Sequence, residues 1–327
     1  MGAVCVFFLI IATLAFSPTS EAIEPKCFEV KGILAPVFTP IYEDGSLRLD
    51  IVPQYAQYLK DKGVDGVVVA SAAGEGPNLN TSENKLLLDA WMEAVRPLDL
   101  FIVSGVGAEP FPKTLEIAAY SEEIGVDAIL AYPQVYYKPQ SVDDLVYYME
   151  LVAKSAPKTP LLYDDLPGYT GVHVNIVEFI EKMTQKIPTF KGLRSNDIND
   201  LLLLRSRLID DQKLYAANDF YLGTEALLDY DNYLMPIVNI FPRLVEDIVK
   251  HGKDGNRFRT LDQYDKLAEL AEIIDVRDNW IAGLKEAMRL VTGINVGPAK
   301  PPQRPLSEEQ KYRMANQLRY RGVDVYA

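Results

Sequence analysis

The feature that most constrains this chain is a rhythm. From residue 32 onward, short apolar and mostly β-branched runs recur: Gly32-Ile33-Leu34-Ala35, Gly66-Val67-Val68-Val69-Ala70, Phe101-Ile102-Val103-Ser104, Ala128-Ile129-Leu130-Ala131, Pro160-Leu161-Leu162-Tyr163, Gly192-Leu193-Arg194, Leu214-Tyr215-Ala216 and Tyr233-Leu234-Met235. None alternates apolar with polar residues, which is the pattern of strands covered on both faces. Between them lie segments of helical period, Ile51–Asp61, Glu83–Val95, Pro112–Ile124, Val142–Ala153 and Val177–Met183, with turn signals at Lys62-Gly63, Gly125 and Ser155-Ala156-Pro157. Eight βα units within about 210 residues predict a closed (β/α)8 barrel rather than an open sheet.

After Ile237 the strand signal stops. Pro242–Lys250, Thr260–Ile274, Asn279–Val291 and Ser307–Leu318 read as four helices, interrupted by the loop Gly297-Pro298-Ala299-Lys300-Pro301-Pro302. The expected organisation is a barrel over residues 23–240 with a C-terminal helical segment, 241–327, in the same domain. Neither an internal repeat nor a low-complexity linker argues for dividing the chain.

Residues 1–22 read as a signal peptide. Val4–Phe16 is an apolar run too short to span a bilayer comfortably, and Ser20-Glu21-Ala22 offers a small-x-small cleavage site. No Lys or Arg precedes the run, and the competing reading is a buried N-terminal helix. Secretion is the expectation. Cleavage would remove Cys5 and leave Cys27 as the only cysteine, either free, bridged to another chain, or buried as a small hydrophobe. Asn80-Thr81-Ser82 is the one N-x-S/T sequon, so Asn80 is a candidate glycosylation site, although the stretch also suits a helix N-cap.

Lys and Arg number 33 against 46 Asp and Glu, a net charge of −13. With no basic run to offset this, nucleic acid and anionic membrane are not expected partners. Small molecules and proteins remain.

Barrel chemistry gathers where strands end. Strand 2 ends in Ser71-Ala72-Ala73-Gly74-Glu75-Gly76, strand 5 in Tyr163-Asp164-Asp165-Leu166-Pro167, and strand 6 in Arg194-Ser195-Asn196-Asp197. The stretches GILAPVFTPIYEDGSL (32–47), AAGEG (72–76), YYKP (136–139), LPGYTGV (166–172), IPTFKGLRSND (187–197) and KEAMRLVTGINVGPAKPP (285–302) together resemble the N-acetylneuraminate lyase and dihydrodipicolinate synthase family of class I aldolases, nearest the sialate lyases. The resemblance covers essentially the whole mature chain. It implies a homotetramer of (β/α)8 barrels working without metal or other cofactor. His173 and His251, the only histidines, lie away from strand-end acidic ligands, which independently disfavours a metal aldolase.

The resemblance also implies a strand-6 lysine that forms a Schiff base with the substrate's keto carbon. The ungapped GLRSND motif puts Arg194 there, and a guanidinium, protonated below about pH 12, is no nucleophile. Lys191, three residues upstream, should face the other side of the strand, about 10 Å away. The family's proton-shuttling tyrosine falls on Asp164, with Tyr163 pointing the opposite way. The carboxylate-gripping hydroxyl pair falls on Ala72 and Ala73. Glu75, Gly74, Asp219 and Asn239 remain as substrate-binding candidates by resemblance. On local grounds Glu75 instead caps nearby amides, Asp219 turns its loop and Asn239 caps the next helix. Phe220, Met235 and Pro236 are expected to fill the former pocket.

These positions predict a secreted lyase-like protein without aldolase activity, serving as a structural, matrix, carbohydrate-binding or protein-binding component. The alternatives are a binder of a small acidic ligand through Arg194 and a residual sialate-lyase activity. Arg194 is expected to pair with Asp164, with Asp165 as a further partner, and so to plug the barrel mouth.

Overall fold

The computed structural model describes residues 24–108, 110–276 and 279–326; the leader and Cys5 fall outside them. Eight parallel strands close on themselves in chain order. They are β1 (Ile33–Pro36), β2 (Gly66–Val69), β3 (Phe101–Val106), β4 (Ala128–Ala131), β5 (Leu161–Asp165), β6 (Phe190–Ser195), β7 (Lys213–Ala216) and β8 (Asn232–Leu234), with β8 paired back onto β1. The expected (β/α)8 barrel is therefore the fold. Strands β3, β5 and β6 run one or two residues beyond their apolar cores at one end or both, because backbone pairing does not stop where apolar side chains do.

The lumen is filled by Leu34, Val68, Val103, Leu130, Leu162, Tyr215 and Leu234, with Val30 of the N-terminal segment closing its lower end. The Val30 carbonyl accepts from both the Tyr215 hydroxyl (2.8 Å) and Lys213 Nζ (2.7 Å). Cys27, in this segment, is exposed, which overturns the buried-hydrophobe reading.

Helices α1 (Val52–Asp61), α2 (Thr81–Val95), α3 (Phe111–Ile124), α4 (Val142–Ser155) and α6 (Ile176–Lys186) match the periodic segments within a few residues. Three further helices were not legible: α5 (Pro167–Thr170), α7 (Ile198–Leu204) and α8 (Leu222–Leu227) are too short to show an amphipathic period. Helix α9 (Pro242–Lys253) packs against α8 and meets α1, where Arg243 Nη2 donates to the Asp61 carbonyl (2.8 Å). It completes the ring as the eighth barrel helix. The appended part thus begins at α10 (Arg257–Ile274) and continues through α11 (Trp280–Thr292) and α12 (Glu308–Tyr320).

A buried ion pair sets the position of α11. Lys285 Nζ lies 2.5 Å from Glu75 Oε2 and also donates to the carbonyls of Thr39 (2.9 Å) and Pro298 (2.8 Å). Glu75 Oε1 accepts from the Lys300 amide (2.5 Å) and Gln303 Nε2 (2.9 Å). Burial lowers the Lys285 ammonium pKa, and Glu75 opposes the fall. With all its protons donated, the lysine meets the demand that a buried charge be fully hydrogen-bonded.

Glu225, on α8, is wholly buried and neither carboxyl oxygen has a hydrogen bond. Burial, reinforced by Asp219, lifts its pKa to about 8. The folded chain therefore holds a proton that the unfolded chain releases near the ordinary glutamate value of 4.5. The stability from this group is complete below that value and is lost as pH rises toward about 8. Thermal unfolding followed from pH 5 to 8.5 should show a falling midpoint. Glu225→Gln should flatten the fall and stabilise the fold by about 1–3 kcal/mol at the alkaline end.

Candidate active-site cavity

β5 and β6 pair with Asp164 opposite Arg194 and Asp165 opposite Ser195. Because side chains alternate along a strand, the first pair enters the lumen and the second faces the helices. Arg194 Nη1 donates to Asp164 Oδ1 (2.8 Å), and its Nε donates to the Leu234 carbonyl at the end of β8 (3.0 Å). Both side chains are buried, at 7% and 1% exposure. Burial raises the Asp164 carboxyl pKa while the guanidinium and the Tyr132 hydroxyl oppose the rise, and Asp164 in turn holds Arg194 in its charged form.

The expected Arg194–Asp164 pair is present, but it does not plug the barrel. It forms part of the wall of a cavity of about 290 Å³ at the C-terminal ends of the strands. Asp165 is not a partner of Arg194. It accepts from Ser195 Oγ (3.2 Å) and is hydrogen-bonded to Asp200 of α7; burial and the Asp200 charge lift it to about 7.

The other candidates divide. Ala72 and Ala73 line the cavity, and the Ala72 amide donates to the Tyr132 hydroxyl (2.8 Å), so neither a side chain nor that amide is free to grip a carboxylate. Asp219 also lines it. Its carboxyl accepts from the Ile237 amide rather than turning its own loop, its Oδ1 is buried without a hydrogen bond, and burial lifts its pKa to about 7. The loop is turned by Asn218, which accepts from the Phe220 amide (3.0 Å) and donates to the Asn196 carbonyl (3.0 Å).

Glu75, Gly74 and Asn239 are not brought to the cavity. Glu75 is held by Lys285, Lys300 and Gln303 rather than by the local amides it was expected to cap. Gly74 passes so close to β1 that a Cβ would lie 2.8 Å from the Val37 carbonyl oxygen. Asn239 accepts from the Tyr55 hydroxyl (2.6 Å) and donates to the carbonyls of Pro36 (2.9 Å) and Pro236 (3.0 Å), a clamp rather than a helix cap. Of the three expected pocket fillers, Pro236 and the half-exposed Phe220 line the cavity rather than fill it, and Met235 packs in the core outside it.

Among the described residues, no lysine lines the cavity. Lys191 is ion-paired with Asp211, and Lys285 with Glu75. Asn80 is exposed, outside the cavity, and caps α2 in a reciprocal box with Glu83. Tyr163 packs its ring at a tilt against Phe179 (4.8 Å between ring centres), facing away from the lumen as expected.

Sequence reasoning missed Tyr132, Tyr169, Trp280 and Leu284, all of which line the cavity. Tyr132 directly follows β4 and was within reach of a strand-end reading. Trp280 and Leu284 belong to α11, held over the mouth by Lys285, whose partners Glu75 and Thr39 are more than 200 residues away in the chain.

Residues 29–320 match the model of the Dihydrodipicolinate synthetase family. The N-acetylneuraminate lyase of Homo sapiens is 34% identical over 289 residues, covering 86% of this chain and 89% of the relative. N-acetylneuraminate lyase A of Xenopus laevis is 28% identical over 276 residues, covering 84% and 90% respectively. The solved Proteus mirabilis N-acetylneuraminate lyase superposes with a TM-score of 0.85 at 25% identity, covering 90% of this chain and 99% of that one. The matched span takes in all eight strands and the helices folded over their ends, and this chain belongs to the dihydrodipicolinate synthetase family, among relatives of the N-acetylneuraminate lyase kind.

Proposed function

We propose that this chain is a secreted, lyase-like barrel that binds a small molecule or an extracellular partner without performing aldolase chemistry. One observation carries the reading: the cavity has no lysine among its described lining residues, and Arg194, at the position the resemblance assigns to the imine-forming lysine, is bound to Asp164 and the Leu234 carbonyl. Imine formation needs a neutral amine to attack a keto carbon and lose water. A guanidinium stays protonated and cannot supply that electron pair. Asp164, where the resemblance expects a tyrosine, is already paired, and Ala72 and Ala73 offer no hydroxyl. The apolar leader supports secretion, and the family resemblance supports a homotetramer.

The open cavity favours one second reading, a small acidic ligand held through Arg194. Asp164 counts against it, because the carboxylate already neutralises the guanidinium.

Mature protein incubated with pyruvate and borohydride should gain no covalent adduct by mass spectrometry, and should leave N-acetylneuraminate intact. A stoichiometric adduct would overturn the silent-barrel reading. Arg194→Lys alone should not restore lyase activity, since the proton relay and carboxylate grip would still be missing. Asp164→Ala should destabilise the fold by about 3–5 kcal/mol in denaturant titration, because it leaves a buried guanidinium unpaired. For the secretory route, glycosidase treatment of native material should shift the band on a gel, and Asn80→Gln should abolish the shift.

A further inference from the structure

Beside the barrel mouth runs a groove of about 1070 Å³, formed by the end of α10, the start of α11, the loop through Pro302–Pro305 and α12. Trp280 belongs to both: it lines the groove and the mouth cavity, and its ring packs against Tyr169 at 5.8 Å. The two spaces therefore share a wall, and together they are far larger than a monosaccharide requires.

Charge and chemistry restrict the occupant. In the groove Arg304 and Arg313 are matched by Glu272 and Asp275, and in the mouth Arg194 is matched by Asp164. Burial holds Asp219 near half-protonated at neutral pH. Among the described lining residues, neither an anion nor a cation finds a field of one sign along this length. What the walls do offer is aromatic side chains, Trp280 in both spaces and Tyr132, Tyr169 and Phe220 in the mouth, and carboxamides, Asn196 in the mouth and Gln317 in the groove. Aromatic faces suit the apolar faces of pyranose rings, and carboxamides, each both donor and acceptor, suit their hydroxyls.

We propose that the mouth cavity and the C-terminal groove form one extended site for a neutral oligosaccharide, its terminal residue in the barrel mouth and the following residues along the groove, with Trp280 as the shared wall. The proposal rests on the reading that the barrel binds without cleaving, since an intact chain must remain in place.

The two tryptophans make the test direct. Trp91 is fully buried against Tyr55 and Trp280 is only partly buried, so a ligand-dependent change in indole fluorescence reports on Trp280. Mature protein is titrated with chitotetraose and cellotetraose, and with N-acetylglucosamine and glucose as their single units. The expected result is saturable binding of at least one tetrasaccharide with Kd at or below about 1 mM, tenfold or more tighter than its monosaccharide. Arg313→Ala, on the exposed face of α12, should weaken the tetrasaccharide severalfold and leave the monosaccharide unchanged. Trp280→Ala should remove tetrasaccharide binding, measured by calorimetry. No binding of either tetrasaccharide, equal affinity for tetrasaccharide and monosaccharide, or an Arg313→Ala protein that binds as the parent does would each overturn the proposal. A pyruvate adduct would overturn the silent barrel instead, so the two failures are distinguishable.

Discussion

The arrangement around the barrel mouth depends on one buried ion pair, Glu75 with Lys285. The loop after β2 must hold Glu75 in a left-handed conformation (φ +57°), and Gly76 must follow, because a Cβ there would lie 1.9 Å from the Ala70 carbonyl oxygen. So constrained, the loop presents a carboxylate to one place on α11. Removing two charges from water roughly offsets their attraction, so the pair contributes position more than stability. Its position is what matters: Leu284 is the neighbour of Lys285, and Trp280 lies just over one turn earlier, so both come to rest over the strand ends. Without that contact the cavity would lose one wall and the groove its boundary.

Around the mouth the barrel tolerates several buried carboxyl groups whose pKa values are raised. Asp165, Asp219 and Glu225 lie in or beside the β5–β8 half and are raised to about 7, 7 and 8, each chiefly by burial. A carboxyl that cannot find a cation avoids the cost of burial by remaining neutral. Burial raises Asp164 as well, but Arg194, its register partner across β5 and β6, opposes the rise. That single guanidinium also bridges to β8, so it links non-adjacent strands across the lumen.

Much of the fold was legible because the signals were local. Doubly buried strands give unbroken apolar runs, and strand parity alone placed Arg194 and Asp164 on one face and Tyr163 and Lys191 off it. Local signals failed where the structure is made by distant contacts. Glu75 looked like the cap of its own loop because nothing nearby reveals Lys285. Asn239 looked like a helix cap because its partners, Pro36 and Tyr55, are distant in the chain. The walls contributed by α11 were invisible for the same reason. The plug was a different error: parity gave the contact, but side-chain volume over the mouth cannot be read from pairing.

On the reading proposed here, the exchange of lysine for arginine and of tyrosine for aspartate is one change rather than two. Either alone would bury an unpaired charge at a strand end, at a cost of several kcal/mol. Made together, they form a pair lying above the lumen packing of Leu34, Val68, Val103 and Leu162, which does not depend on them. A (β/α)8 barrel separates the layers that fold it from the strand ends that react. The chemistry can therefore be withdrawn from the mouth while the cavity, and whatever it holds, stays in place.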